Sequence, residues 1–136
     1  MNKLFPIQIH QREEGFLATT ALEKLAGDPD RINAQLRDFA DAYTRALAEA
    51  RAARDAGKHD ARERARGYWR IGQAIRDFED ALKMAGFYLP GQTETFARDL
   101  GLNAGTLRKI LAFHRNNPDG HAQDARSIWR IQKEEP

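Results

Sequence analysis

The chain has 136 residues, 41% of them hydrophobic, which is enough for one domain with a modest core and too short for a second large domain. Its 22 Lys and Arg nearly balance its 20 Asp and Glu, which argues against a polycation that coats nucleic acid, so any DNA contact must be local. The absence of cysteine excludes disulfides, cysteine-based zinc sites and thiolate chemistry. No apolar run approaches the roughly 18 residues of a membrane span, and the start lacks the apolar core of a signal peptide. We therefore expect a cytoplasmic protein with no membrane partner.

The first sixteen residues carry the only β-like pattern in the chain. Ile7 and Ile9 alternate with polar residues ahead of a turn at residues 13–15, which predicts a short strand or an extended arm. Residues 16–26 instead place apolar side chains on one side of a helix and are followed by Gly27, so we predict a short helix there.

Two long helices are predicted between residues 28 and 85. Asp28 is a favourable cap and Pro29 suits the first helical position, so the first helix should begin there and extend to about Ala56. Its apolar residues step by three and four and shrink toward alanine, which gives a coiled-coil-like seam that permits close approach. The seam consists of Ile32, Leu36, Phe39, Tyr43, Ala46, Ala50 and Ala53. The second helix, from a cap at Asp60 to about Ala85, should complete an antiparallel hairpin.

The stretch from residue 93 to residue 111 has the spacing of a DNA-binding helix-turn-helix. Thr93 would cap the first helix, and Ala97 provides a small side chain where the two helices would touch. Gly101 can adopt the left-handed conformation that ends a helix, and Asn103 is a good N-cap for the next one. We predict helices of roughly seven and thirteen residues in this motif.

The second helix of the motif, residues 104–116, leaves one face free for a partner. Its apolar residues pack back on the first helix, and no acidic residue occurs from 101 to 117, so the opposite face should attract phosphate. The predicted DNA-binding residues are Asn103, Thr106, Arg108, Lys109 and Arg115. Arg108 would contact a base edge and Arg115 the backbone, while the other three would face phosphates or base edges.

The remaining segments are predicted to be connections and one more helix. Residues 87–92 contain a turn signal and should form a loop, and residues 117–120 should end the motif. Residues 121–133 can form a final helix whose inward side chains would be Ala122, Ala125, Ile128 and Trp129.

Two motifs resemble the N-terminal helix-turn-helix domain of YhcG-like nucleases. In the first, YWRIGQAI, the matching residues are Tyr68, Trp69, Ile71, Gly72 and Ile75. In the second, ARDLGLNAGTLRKILAFHRNNP, they are Arg98, Asp99, Leu100, Leu107, Arg108, Phe113 and Pro118. The resemblance covers residues 61–118 and implies a DNA-associated role. Thr106 stands where the family has Asn, and these 136 residues contain no counterpart of the nuclease domain, so cleavage activity is not implied.

The sequence contains no pattern typical of an active site. The sequence has four histidines, His10, His59, His114 and His121, which lie in separate segments without the spacing of a helical zinc site. We expect His114 and His121 on the surface or near the DNA backbone. No Asp-x-Lys or Glu-x-Lys of a restriction-type nuclease occurs, nor does a P-loop or a GxSxG motif. We predict a protein that is not an enzyme, with no catalytic residues, no cofactor and no metal.

Together these patterns predict a mainly α protein, with a long antiparallel helical hairpin, a C-terminal helix-turn-helix and a short N-terminal extended or β segment. Residues 1–57 would form the arm and long helix for support or dimerisation, and residues 58–136 the DNA-binding region. The predicted function is non-catalytic binding of double-stranded DNA by a regulator or DNA-organising component of a mobile-element or defence locus. One helix covers only about 4–6 base pairs, so a homodimer formed through the seam is expected. Two alternatives remain open: a helical interaction subunit or adaptor of a larger complex, and a separately encoded targeting subunit of a nuclease.

Overall fold

The computed structural model describes residues 4–20, 28–58 and 61–118, and these are mainly helical with short strands at the N-terminal end. In chain order the elements are β1 (Phe5–Pro6), β2 (Gln8–Arg12), β3 (Gly15–Thr19), α1 (Pro29–Ala56), α2 (Ala61–Met84), β4 (Phe87–Tyr88), α3 (Gln92–Leu100) and α4 (Ala104–Asn116). The predicted mainly α class with a short N-terminal β segment is confirmed. The helix predicted at 121–133 lies outside the described residues.

The chain forms two compact units, each assembled from two stretches of sequence. The first unit comprises Met1–Ala46 and Asp77–Gly91, and the second comprises Leu47–Arg76 and Gln92–Pro136. Both long helices therefore begin in one unit and end in the other.

The N-terminal strands form a hairpin that the sequence predicted only in part. β2 and β3 pair antiparallel, with Ile9 opposite Ala18, both buried, and Gly15 takes a φ of 123° at the turn. The helix predicted at residues 16–26 is wrong over residues 16–19, which form β3 in place of a first helical turn; residues 21–26 lie outside the described part. The turn before Gly15 brings β2 alongside, and ladder hydrogen bonds to β2 outweigh the helical spacing of a few apolar residues.

A second strand pair joins segments that are far apart in the sequence. β1 and β4 are parallel, and the Ile7 amide donates to the Tyr88 carbonyl oxygen at 2.9 Å. The loop predicted at residues 87–92 is therefore wrong at Phe87 and Tyr88. A strand of two residues has no periodicity of its own, so only its partner defines it.

The core of the first unit is aromatic. Tyr43 is fully buried and packs edge-on against Phe16 and Phe78, with ring centroids at 4.9 and 5.6 Å. Phe39 packs in the same manner on Phe87, at 5.1 Å. Such pairs add to the stabilisation from the apolar area that they bury.

The seam of α1 is buried within a single chain. Each of its residues, Ile32, Leu36, Phe39, Tyr43, Ala46, Ala50 and Ala53, exposes 8% or less of its surface. A second copy cannot cover side chains that the same chain already covers, so the seam is the wrong place for the expected dimerisation. The oligomeric state itself stays a prediction.

Both ends of α1 agree with the local sequence signals. The helix begins at Pro29 and ends at Ala56 as predicted, and the Asp28 carboxylate accepts the Asp30 amide at 3.0 Å. α2 ends at Met84, one residue before the predicted end.

No helix in the described part of the chain is long and apolar enough to cross a membrane.

We expect Leu36→Asp to unfold the protein, because it places an unpaired carboxylate among buried apolar side chains. The loss in free energy of unfolding should be roughly 3–5 kcal/mol, measured by urea denaturation followed by circular dichroism. Ala48→Asp, at an exposed position of the same helix, is the control and should cost far less. A folded, soluble Leu36→Asp monomer would show instead that another chain covers the seam.

Candidate nucleic-acid interface

The turn between α3 and α4 is built around a glycine in the left-handed region. Gly101 has a φ of 71°, its amide donates to the Arg98 carbonyl oxygen at 3.2 Å, and the Leu102 amide donates to that of Ala97 at 2.9 Å. These two bonds are the pair found in a Schellman motif, which satisfies carbonyls left over at a helix end. The conformation predicted for Gly101 is confirmed. Thr93 is the second residue of α3, which begins at Gln92, so its predicted role as the residue before the helix is wrong by two residues.

Two arginines of α1 complete the end of α3. Arg51 Nη2 donates to the Asp99 carbonyl oxygen at 3.0 Å, and Arg54 Nη1 donates to that of Leu100. Cations at this end also interact favourably with the helix dipole. Arg54 is itself held by the Asp55 carboxylate at 3.1 Å, and this hydrogen bond, reinforced by Lys58, lowers the pKa of Asp55 below its ordinary value. The Asp55 carboxylate therefore orients the arginine that donates to the end of α3.

The start of α4 is capped as the sequence predicted. Asn103 has an extended backbone, and its side-chain oxygen accepts the Gly105 amide at 2.7 Å. This bond satisfies one of the amides that a helix start leaves unpaired. Asn103 is also exposed, so the side chain that caps the helix lies at the protein surface.

The buried face of α4 rests on α2 at a position without a side chain. A Cβ on Gly72 would lie 2.5 Å from the His114 Cβ, so only glycine permits this contact. His114 is 8% exposed, its ring lies 4.9 Å from that of Trp69, and its Nε2 is 2.9 Å from Gln73 Oε1. The expectation that His114 lies at the surface is therefore wrong: the ring is a packed and hydrogen-bonded part of the core.

The end of α4 is tied to the same region of α2. Trp69 Nε1 donates to the Asn117 carbonyl oxygen at 2.7 Å, and Asn117 Nδ2 donates to that of Phe113 at 2.9 Å. Phe113 also packs with Ala65, Tyr68 and Trp69. The two motifs quoted for the resemblance thus contact each other in space.

The predicted DNA-binding residues do not all share one face of α4. Arg108 and Arg115 are exposed and seven residues apart, so they lie on the same side, about 10 Å apart along the axis. Lys109 is partly buried and lies to one side of this pair, about 100° around the helix from Arg108. Thr106 is partly buried as well, and it precedes the buried Ile110 by four residues, so it lies toward the packed face.

Arg108 has an acidic neighbour that the sequence did not indicate. Its Nη2 lies 3.1 Å from Oε1 of Glu94, in the first turn of α3, and both side chains are about 60% exposed. The pair spans the two helices of the motif. Glu94 belongs to the candidate interface, and nothing in the local pattern around either residue could have predicted the contact.

The described residues were also compared with what a metal site or a binding groove requires. Within residues 4–20, 28–58 and 61–118, no three His, Asp or Glu side chains are placed to hold a metal ion. A surface groove of about 530 Å³ lies between α1 and α2 in the second unit. Its lining consists of Glu49, Ala52, Ala53, Ala56, Trp69, Arg70, Gln73 and Ala74.

Gly101→Val should lower the free energy of unfolding by roughly 1–3 kcal/mol, since a β-branched residue resists the left-handed conformation. The nearest atom to a Cβ there is Arg54 Nη1 at 3.8 Å, so the cost is conformational and not steric. Gly101→Asn is the matched variant and should lose less, because Asn tolerates this conformation. Equal thermal stability of all three proteins would show that the turn is built differently.

Comparison with protein-family models, curated proteins and solved structures finds no match to the chain. The likeness to YhcG-like nucleases therefore rests on its motifs alone.

Proposed function

We propose that the protein is a cytoplasmic, non-catalytic DNA-binding protein that inserts α4 into the major groove. The observation that carries the proposal is the exposed face of α4, with Arg108 and Arg115 on one side and no acidic residue from 101 to 117. Arginine pairs well with guanine in the groove and with phosphate at its edge. At about 20 Å, α4 is long enough to reach from one to the other.

The anchoring of α4 supports this role. Its start is fixed by the Asn103 cap and the Gly101 turn, and its end by the bond from Trp69 to Asn117. A helix held at both ends presents its exposed side chains in one orientation, which lowers the entropy lost on binding. On this proposal α3 and α4 are the two helices of a helix-turn-helix, and α1 and α2 form the antiparallel hairpin that supports it.

The same contacts support the proposed relation to YhcG-like nucleases. Trp69 and Gly72 come from the first motif, and each meets the second one, at Asn117 and His114 respectively. The protein would then be a regulator or DNA-organising component of a mobile-element or defence locus. A homodimer remains part of the proposal, because one helix covers about 4–6 base pairs, and its interface would lie away from the α1 seam.

A second candidate function is a helical interaction subunit or adaptor of a larger complex. The α1–α2 groove favours it, because the alanines in its lining leave room for another helix and Trp69 offers apolar surface. Glu49 and Arg70 place opposite charges in its lining, which suits an amphipathic helix with charged flanks. A targeting subunit of a separate nuclease would use both this groove and α4.

Replacing Arg108 and Arg115, the two exposed arginines of this face, together by alanine should weaken binding to random-sequence duplex DNA at least tenfold at moderate salt. Two fewer phosphate or base contacts should also reduce the slope of log affinity against log salt by about 2. Fluorescence anisotropy across a salt series measures both quantities, and circular dichroism should show an unchanged fold.

The control is Arg37→Ala with Arg45→Ala, which removes the same charge from exposed positions of α1. Its affinity and salt slope should stay close to those of the wild type. If the wild type binds DNA without any salt dependence, or not at all, the interaction-subunit function becomes the better explanation.

A further inference from the structure

The Arg108–Glu94 pair differs from two ion pairs of α2 in what it connects. Arg66–Glu63 and Lys83–Glu79 each lie within one helix, three or four residues apart, whereas Arg108 and Glu94 join α3 to α4 at 3.1 Å. Exposed pairs contribute little to stability, because both groups remain largely hydrated and are screened by salt. The Gly101 turn and the Asn103 cap already fix the connection between α3 and α4. The ion pair therefore has little structural importance of its own.

The pair has more effect on how Arg108 meets DNA. A guanidinium has five N–H donors, and the two that bind guanine O6 and N7 leave others for a carboxylate. Glu94 can therefore keep one edge of Arg108 while the other edge points into the groove. An arginine restrained in this way loses less side-chain freedom on binding guanine.

On DNA that has no guanine at the Arg108 contact, the charge of Glu94 weakens binding. If α4 enters the groove, the first turn of α3 is brought toward the same duplex, and a carboxylate there is repelled by phosphate. Only a base pair that engages Arg108 fully offsets this repulsion. Discrimination against wrong partners through a repulsive element is a general route to specificity.

We infer that Glu94 is a positioning residue that sets the sequence specificity of Arg108, favouring guanine at its contact and opposing non-specific duplex. The inference rests on the proposed DNA-binding function and deepens it. According to this inference, Glu94 lowers the affinity of the protein for DNA of average sequence and sharpens its preference for one base.

Glu94→Gln tests the inference, since it keeps the size of the side chain and an acceptor oxygen but removes the charge. The probe is a pool of duplexes with a randomised core, used for anisotropy titrations and for rounds of selection followed by sequencing. Glu94→Gln should bind the unselected pool about three- to tenfold more tightly at low salt, and its selected sequences should lose guanine preference at one position. Arg108→Ala should lose the same preference and bind the pool more weakly.

Glu79→Gln is the control, because it removes the same charge from a surface pair in the first unit, at 3.2 Å from Lys83. It should leave pool affinity and base preference unchanged. If Glu94→Gln behaves like Glu79→Gln, or weakens pool binding, the role of Glu94 is overturned while DNA binding stands. If the wild type shows no salt-dependent binding to the pool, both the proposed function and this inference fall.

Discussion

The absence of side chains at two positions of α2 is the constraint on which the second unit depends. A Cβ on Gly67 would lie 2.5 Å from the Ala53 carbonyl oxygen of α1, and one on Gly72 would lie 2.5 Å from the His114 Cβ of α4. Real Cβ atoms are essentially never found so close to another heavy atom, so any other residue would push the helices apart. Because Ala53 itself is small, the backbones of α1 and α2 lie almost in direct contact. In the same way, the missing side chain of Gly72 lets α4 pack closely on α2.

This close packing also involves polar side chains, which lie between the helices and at the end of α3. His114 is buried beside Gly72, and burial of an imidazole is tolerated because Gln73 satisfies its Nε2. At the opposite end of the α3–α4 pair, Arg51 and Arg54 reach carbonyl oxygens that the Schellman turn leaves available. Hydrogen bonds thus orient the helices, while apolar contacts and the missing Cβ atoms set their separation.

Features governed by neighbouring residues could be predicted from the sequence, and features governed by distant ones could not. The start of α1 at Pro29, the αL turn at Gly101 and the cap at Asn103 each follow from a few adjacent residues. The strand at residues 16–19 and the pairing of β1 with β4 depend on hydrogen-bond partners elsewhere in the chain. The same holds at the site: the basic face of α4 is a periodic pattern, whereas the contact of Arg108 with Glu94 depends on how two helices pack.

The parallel pairing of Phe5 with Phe87 also bears on the order in which the chain folds. During synthesis β1 emerges well before its partner strand, which appears only after both long helices have been made. The β2–β3 hairpin is local and can form early, but the first unit stays unfinished until β4 arrives. Residues 47–76, which belong to the second unit, must meanwhile wait for α3 and α4. Long-range closure of this kind slows folding, so the last steps for both units come late and close together in time.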